Sequence, residues 1–203
     1  TALYHVADRH PWGDKLLAET AVKFYAVFDW QPMLSEMRLI KSPNEIRLMQ
    51  QAGQITAFGH IKAMQVTRPN RFEYEIESEI LHEFNRHGAR FPSYNSIVAG
   101  GDNACILHYT ENDQPLKDGD LVLIDAGCEF AMYAGDITRT FPVNGKFTEP
   151  QREIYELVLK AQKRAIELLV PGNSIKLAND EVIRIKTQGL VDLGILKGDV
   201  DKL

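Results

Sequence analysis

The stretch Asp120-Leu121-Val122-Leu123-Ile124-Asp125-Ala126-Gly127-Cys128-Glu129-Phe130, followed by Tyr133-Ala134-Gly135-Asp136-Ile137-Thr138-Arg139-Thr140-Phe141-Pro142, decides the fold. Leu121 to Ile124 form a short apolar run bounded by polar and Gly positions, the pattern of a buried strand that ends at Asp125. Thr138 to Val143 reads as a second strand. A turn at Phe130-Ala131 would make Asp125 and Asp136 opposite neighbours in an antiparallel pair, with Cβ atoms about 4.5–5.5 Å apart. Two like charges held that close beside buried strands repel unless a proton or a cation intervenes. A divalent metal answers the problem, and paired metals roughly 3.5–4 Å apart are a recurrent catalytic device. The same aspartates are also compatible with ordinary strand-end and turn hydrogen bonding. Glu129-Phe130-Ala131-Met132 moreover lacks the Asn-Gly signal of a tight hairpin.

Outward from this stretch the pattern is helical on both sides. Ser42-Pro43-Asn44-Glu45 offers a capping hydroxyl, Pro at the first helical position and an acid three residues on. A helix is expected from there to about Val66, with Ile46, Met49, Ala52, Ile55 and Phe58 at helical spacing. Pro69-Asn70 breaks it, and a second helix follows from about Glu73 through Ile76, Ile80, Leu81 and Phe84 to near Gly88. Ser96 to Ala99 and Cys105 to His108 read as strands. Beyond the central pair, Glu149-Pro150 opens a third helix with Ile154, Leu157, Val158, Ala161 and Ile166 on one face, closed by Pro171-Gly172. A fourth runs from about Ile175 to Leu193. The order helix, helix, strands, helix, helix is an α+β arrangement, and a second set of strands is expected after it. Residues 1 to about 40 are weaker: a His/Asp/Trp-rich start and an aromatic run, Val22 to Phe28, that reads as a strand end or short helix.

Composition excludes several classes. The 203 residues are 44% hydrophobic and 25% charged, which suits a globular chain. A net charge of -5, mixed along the sequence, gives no electrostatic footprint for nucleic acid or an anionic membrane. No apolar run reaches transmembrane length, and the first residues lack the character of a signal peptide. Cys105 and Cys128 form no CxxC pair, so they read as two buried free thiols in a reducing, cytoplasmic compartment.

Four segments resemble aminopeptidase P, the Xaa-Pro aminopeptidase family of pita-bread metallopeptidases. They are Glu36 to Pro43, Glu83 to Asn95, Ile106-Leu107-His108-Tyr109-Thr110-Glu111-Asn112, and the Asp120 to Pro142 stretch. The resemblance runs from about Asp29 to Leu203. It implies the first half of a pita-bread fold plus the helices of the second half, with residues 1–35 as the tail of a preceding domain and linker and 36–203 as a truncated catalytic domain. It implies a dinuclear site of two divalent metal ions, commonly Mn2+, with Asp125 chelating one and Asp136 bridging both. A His and two Glu ligands would come from strands beyond this chain, so the segment alone is expected to be inactive.

By the same resemblance His108 is a catalytic, substrate-facing histidine. From the residues alone it reads as a structural histidine at a strand end. His60, His82 and His87 read as surface or packing residues. Arg139 reads either as a group orienting Asp136 or as a strand-surface charge, and Thr138 is similarly ambiguous. Gly127 and Gly135 read as serving backbone geometry. The implied reaction is hydrolysis releasing the first residue from peptides with proline second, with such a peptide as partner and a homo-oligomer compatible with it. Two rival readings stand beside it: a prolidase-like dipeptidase or methionine aminopeptidase of the same fold, and a non-catalytic peptide-binding module.

Overall fold

A computed structural model describes residues 29–202. The expected aromatic segment at 22–28 lies outside them. The elements are α1 (Gln31–Leu39), α2 (Pro43–Val66), α3 (Glu73–Arg86), β1 (Phe91–Pro92), β2 (Ile97–Gly100), β3 (Leu121–Ala126), β4 (Cys128–Phe130), β5 (Tyr133–Ala134), β6 (Ile137–Pro142), α4 (Glu149–Leu168) and α5 (Ile175–Asp192). The four expected helices are present within a few residues. The additional helix α1 covers the expected boundary near residue 35.

α2 begins where the sequence says it should. Ser42 accepts from the Glu45 amide at 3.3 Å, and the Glu45 carboxylate accepts from the Ser42 amide at 2.6 Å. Such a reciprocal cap is worth about 1 kcal/mol. Glu45 also accepts from the Tyr133 hydroxyl at 2.8 Å, which ties the helix start to a hairpin 88 residues away. α4 carries the same kind of reciprocal cap, between Thr148 and Gln151.

α2 and α3 cross closely because Gly59 has no side chain: a Cβ there would meet the ring of Phe84. Their apolar faces, with Ala52, Ile55, Ala63, Ile76, Ile80 and Phe84, bury against Val98, Val122, Ile124 and Ala126 of the sheet. Truncating Phe84 to Ala would cost about 3–5 kcal/mol. The sheet has the antiparallel order β2-β3-β6, and a smaller one has the order β1-β4-β5. Alternation along β3 sends Val122, Ile124 and Ala126 to the helices and Leu123 and Asp125 to the opposite face. There Leu123 packs with Ile97, Ala99 and Tyr109 in a second cluster. α4 and α5 pack on each other through Leu157 against Gly189 and an Arg164–Glu181 pair at 3.8 Å.

Three expectations are corrected. Asp125 does not face Asp136; its ladder partner is Thr138, and Phe130 pairs with Tyr133. The turn is Ala131-Met132, one residue later than expected, because both residues take left-handed φ, 50° and 71°, as a two-residue hairpin of this hand requires. Cys105 to His108 is not a strand: Gly101–Cys105 is a 3-10 helix, and the chain then turns through His108 at φ 57°. Its apolar residues face outward, Ile106 and Leu107 being exposed, so the run mimics a strand without a ladder partner. Finally, Cys128 is buried but Cys105, at the end of that 3-10 turn, is exposed.

Candidate metal centre

The two sheets meet where Gly127 passes Gly135. A Cβ on Gly127 would strike the Gly135 carbonyl oxygen, and one on Gly135 would strike Thr56 Oγ1. This crossing is held from behind by one face of α2, where Ala52, Thr56 and His60 recur every four residues. Thr56 Oγ1 accepts from the Cys128 amide at 3.1 Å, Cys128 Sγ donates to the Ala52 carbonyl at 3.4 Å, and His60 Nε2 donates to the Ala126 carbonyl at 3.1 Å. From in front, Ser93 donates its amide to Gly127 O at 2.9 Å and its hydroxyl to Gly135 O at 2.8 Å. The glycines thus serve backbone geometry by close approach.

Asp125 precedes the crossing and Asp136 follows it. They are diagonal rather than opposite, and a shift of two residues keeps side chains on the same side of the ladder. Both carboxylates reach the same phenol: Tyr94 Oη lies 2.5 Å from Asp125 Oδ1 and 2.9 Å from Asp136 Oδ1. Ser93 places that tyrosine, because its two bonds to Gly127 and Gly135 pin the preceding residue of the same segment. Burial, and then the hydrogen bonds and charges of the two aspartates, push the Tyr94 phenol far above its ordinary range. It is therefore a neutral donor, and its single proton cannot satisfy two carboxylates fully.

Asp125 is half-buried and Asp136 exposed at the mouth of a cleft of about 400 Å³. Tyr94, Asn95, Ile97, His108 and Thr110 complete its lining. His108 is exposed and left-handed, on the loop that arches over the second apolar cluster. The structure thus brings together the three residues singled out from sequence, His108, Asp125 and Asp136. Among the described residues neither aspartate has a Lys, Arg or His within ion-pair distance. Hard oxygen donors that converge without a protein cation suit a divalent ion. Among the described residues no His, Cys, Asp or Glu, His108 included, stands close enough to complete a three-ligand metal group with them.

The remaining sequence candidates fall elsewhere. Arg139 is exposed and donates to its neighbour's carbonyl, Thr138 O, at 2.7 Å. Thr138 is the ladder partner of Asp125. His60 is buried behind the crossing, where desolvation lowers its pKa. His87 bonds Glu83 at 3.0 Å on the surface, and His82 is exposed. Tyr94 was not foreseen. It lies inside a segment singled out by resemblance, but no spacing rule ties a tyrosine 31 residues upstream to Asp125.

Comparison with known proteins sets this geometry in context. The model described as "Metallopeptidase family M24" matches residues 47–196. Xaa-Pro aminopeptidase of Haemophilus influenzae is 88% identical over 203 residues, which is all of this chain and 47% of that protein. Xaa-Pro aminopeptidase of Escherichia coli is 62% identical over 212 residues, covering 99% of this chain and 48% of its own length. Proline aminopeptidase P II from Yersinia pestis superposes with a TM-score of 0.90 at 53% identity, covering 96% of this chain and 47% of that one. Zinc-substituted E. coli aminopeptidase P in complex with product gives 0.91 at 54% identity, covering 98% and 48%. The chain spans about half the length of the curated relatives it matches, and its fold is the expected portion of a pita-bread domain.

Proposed function

Because the chain belongs to metallopeptidase family M24, we propose that the protein carrying it is an Xaa-Pro aminopeptidase, hydrolysing the first peptide bond of substrates with proline in second position. The observation that carries this reading is the convergence of Asp125, Asp136 and His108 on one cleft, in a chain 88% identical to an Xaa-Pro aminopeptidase.

In this reading Asp125 and Asp136 hold two divalent ions, manganese in the cell, together with a histidine and two glutamates contributed from outside residues 29–202. When bound, such ions polarise a carbonyl and make water nucleophilic near neutral pH. The chain's own residues do the rest. Asp125 and Asp136 supply anionic oxygen donors whose separation is set by the Gly127–Gly135 crossing. Tyr94, held neutral, orients them through its hydroxyl. His108 donates an imidazole N–H to the oxygen of the scissile carbonyl as negative charge builds there, a contribution that can reach about 10²-fold or more in rate. Ile97 gives the cleft an apolar wall beside the aspartates.

The domain division belongs to the same proposal, with residues 1–35 leading into a catalytic domain that begins near residue 36. So does a cytoplasmic setting, supported by the unpaired state of Cys105 and Cys128. The experiment that tests the substrate class compares, for the full-length protein, release of the first residue from an Xaa-Pro-Xaa tripeptide, an Xaa-Pro dipeptide and a Met-Ala-Xaa tripeptide. Preference for the first supports the reading. Preference for the dipeptide or the methionyl peptide replaces it with a prolidase-like or methionine-specific enzyme.

A further inference from the structure

Glu73 is the one charged residue among the described residues that is fully buried, and its carboxylate touches neither aspartate of the cleft. Four donors surround it. Oε1 accepts from the Gly100 amide at 2.8 Å and from Asn103 Nδ2 at 3.0 Å, while Oε2 accepts from the Tyr109 hydroxyl at 2.7 Å and from the Gln114 amide at 3.0 Å. Gly100 ends β2, and the other three lie between β2 and β3, in the segment that carries His108. A carboxylate has about four acceptor sites, so this one is filled completely. Glu73 itself is the first residue of α3, so the same carboxylate also ties the loop to the start of that helix.

We propose that Glu73 is a positioning residue for His108, gathering the β2–β3 loop around one buried carboxylate so that the imidazole is presented to the Asp125–Asp136 cleft. The route is short. Tyr109 follows His108 directly, and its ring is buried against Ile97 and Ala99 while its hydroxyl is held by Glu73 and by Asn103 at 3.0 Å. The Tyr109 amide closes a turn onto Ile106 O at 3.3 Å, and the Ile106 amide closes one onto Asn103 O at 3.0 Å. His108 sits between these anchors at φ 57°, a left-handed conformation that persists where the surroundings over-determine it. Leu107, on its other side, is 86% exposed and offers no anchor of its own. Backbone bonds from Glu73 N to Gln114 O and from Leu116 N to Arg71 O clamp the far end of the loop to the same helix start. The inference rests on the reading of His108 given above, because a presented imidazole matters only if it meets substrate.

Glu73→Gln tests it. In either orientation the new amide sets its nitrogen against a backbone N–H that cannot accept, that of Gly100 or that of Gln114, so the loop must open. In the full-length protein, hydrogen exchange across residues 101–110 is expected to accelerate while α2 stays protected. The kcat on an Xaa-Pro-Xaa tripeptide is expected to fall about tenfold with a smaller change in KM. In a His108→Ala background the same substitution should cost less than about twofold, because residues acting through one another are not additive. Tyr109→Phe removes one of the four donors and should show the same pattern more weakly; it decides the matter if Glu73→Gln does not fold. An equal loss in both backgrounds, or unchanged exchange in the loop, overturns the proposal alone. Wild-type turnover by His108→Ala overturns the reading of His108 and this proposal with it.

Discussion

Gly127 runs so close to Gly135 that a Cβ atom on the first would collide with the carbonyl oxygen of the second. The obstacle is backbone, flanked by Thr56 and Ser93, and cannot swing aside as a flexible side chain would. Gly127→Ala should therefore destabilise the protein by about 3 kcal/mol, at the upper end of what overpacking costs. A denaturant melt of the full-length variant would read it. Because the same crossing sets the spacing of Asp125 and Asp136, the folded fraction should also bind divalent metal more weakly; a variant of unchanged stability and metal affinity would contradict this.

Tyr94→Phe keeps the ring and removes the one hydroxyl shared by the two aspartates. Groups that orient a metal-binding carboxylate typically contribute 10–100-fold to affinity or activity. The expected result is a loss of about tenfold in divalent-metal affinity, measured by titration of the stripped protein, with little change in melting temperature. Unaltered metal affinity would mean that the carboxylates are held in place without the phenol.

Acid should loosen the structure through His60. Burial is the main cause of its depressed pKa, the nearby Arg139 charge adds to it, and the bond to Ala126 O and the charge of Asp125 oppose it. The folded state therefore gives up the His60 proton at a lower pH than the unfolded chain does. Its neutral form contributes stability that is fully present above the ordinary value of 6.5 and is lost as pH falls from there toward the lower folded pKa. Nδ1 is buried and makes no hydrogen bond in the structure, so protonation would add a charge to a desolvated ring. His60→Gln retains a donor for Ala126 O without titrating. Melting temperatures measured between about pH 5 and 7 should fall with acid in the parent and flatten in the variant; parallel slopes would remove His60 from the account.

Much of this architecture could be read from local signals. Ser42-Pro43-Asn44-Glu45 announces α2 because every element of the cap is within four residues, and Leu121 to Ile124 announces β3 because a buried strand needs only a short apolar run. What could not be read depended on contacts distant in sequence or on unusual backbone. The hairpin turned at Ala131-Met132, two residues that adopt left-handed φ without the Asn-Gly marker, and the register of the central pair moved with it. The aspartates still converge, because two residues is one full period of a strand. The Cys105 to His108 run looks like a strand in apolar content alone, but Glu73, some 30 residues earlier, gathers polar atoms on either side of it, from Gly100 and Asn103 to Tyr109 and Gln114, into a loop. Tyr94 was hidden for the same reason: its partners are set by where Ser93 meets Gly127 and Gly135.

The most direct test of the central claim is release of the first residue from an Xaa-Pro-Xaa tripeptide by the full-length protein, stripped of metal and titrated with manganese, beside Asp136→Asn. The account predicts that turnover returns as two ions bind per chain and that the variant loses on the order of a hundredfold or more at saturating metal. Wild-type turnover by Asp136→Asn, or a tripeptide left intact by the metal-loaded parent, would contradict it.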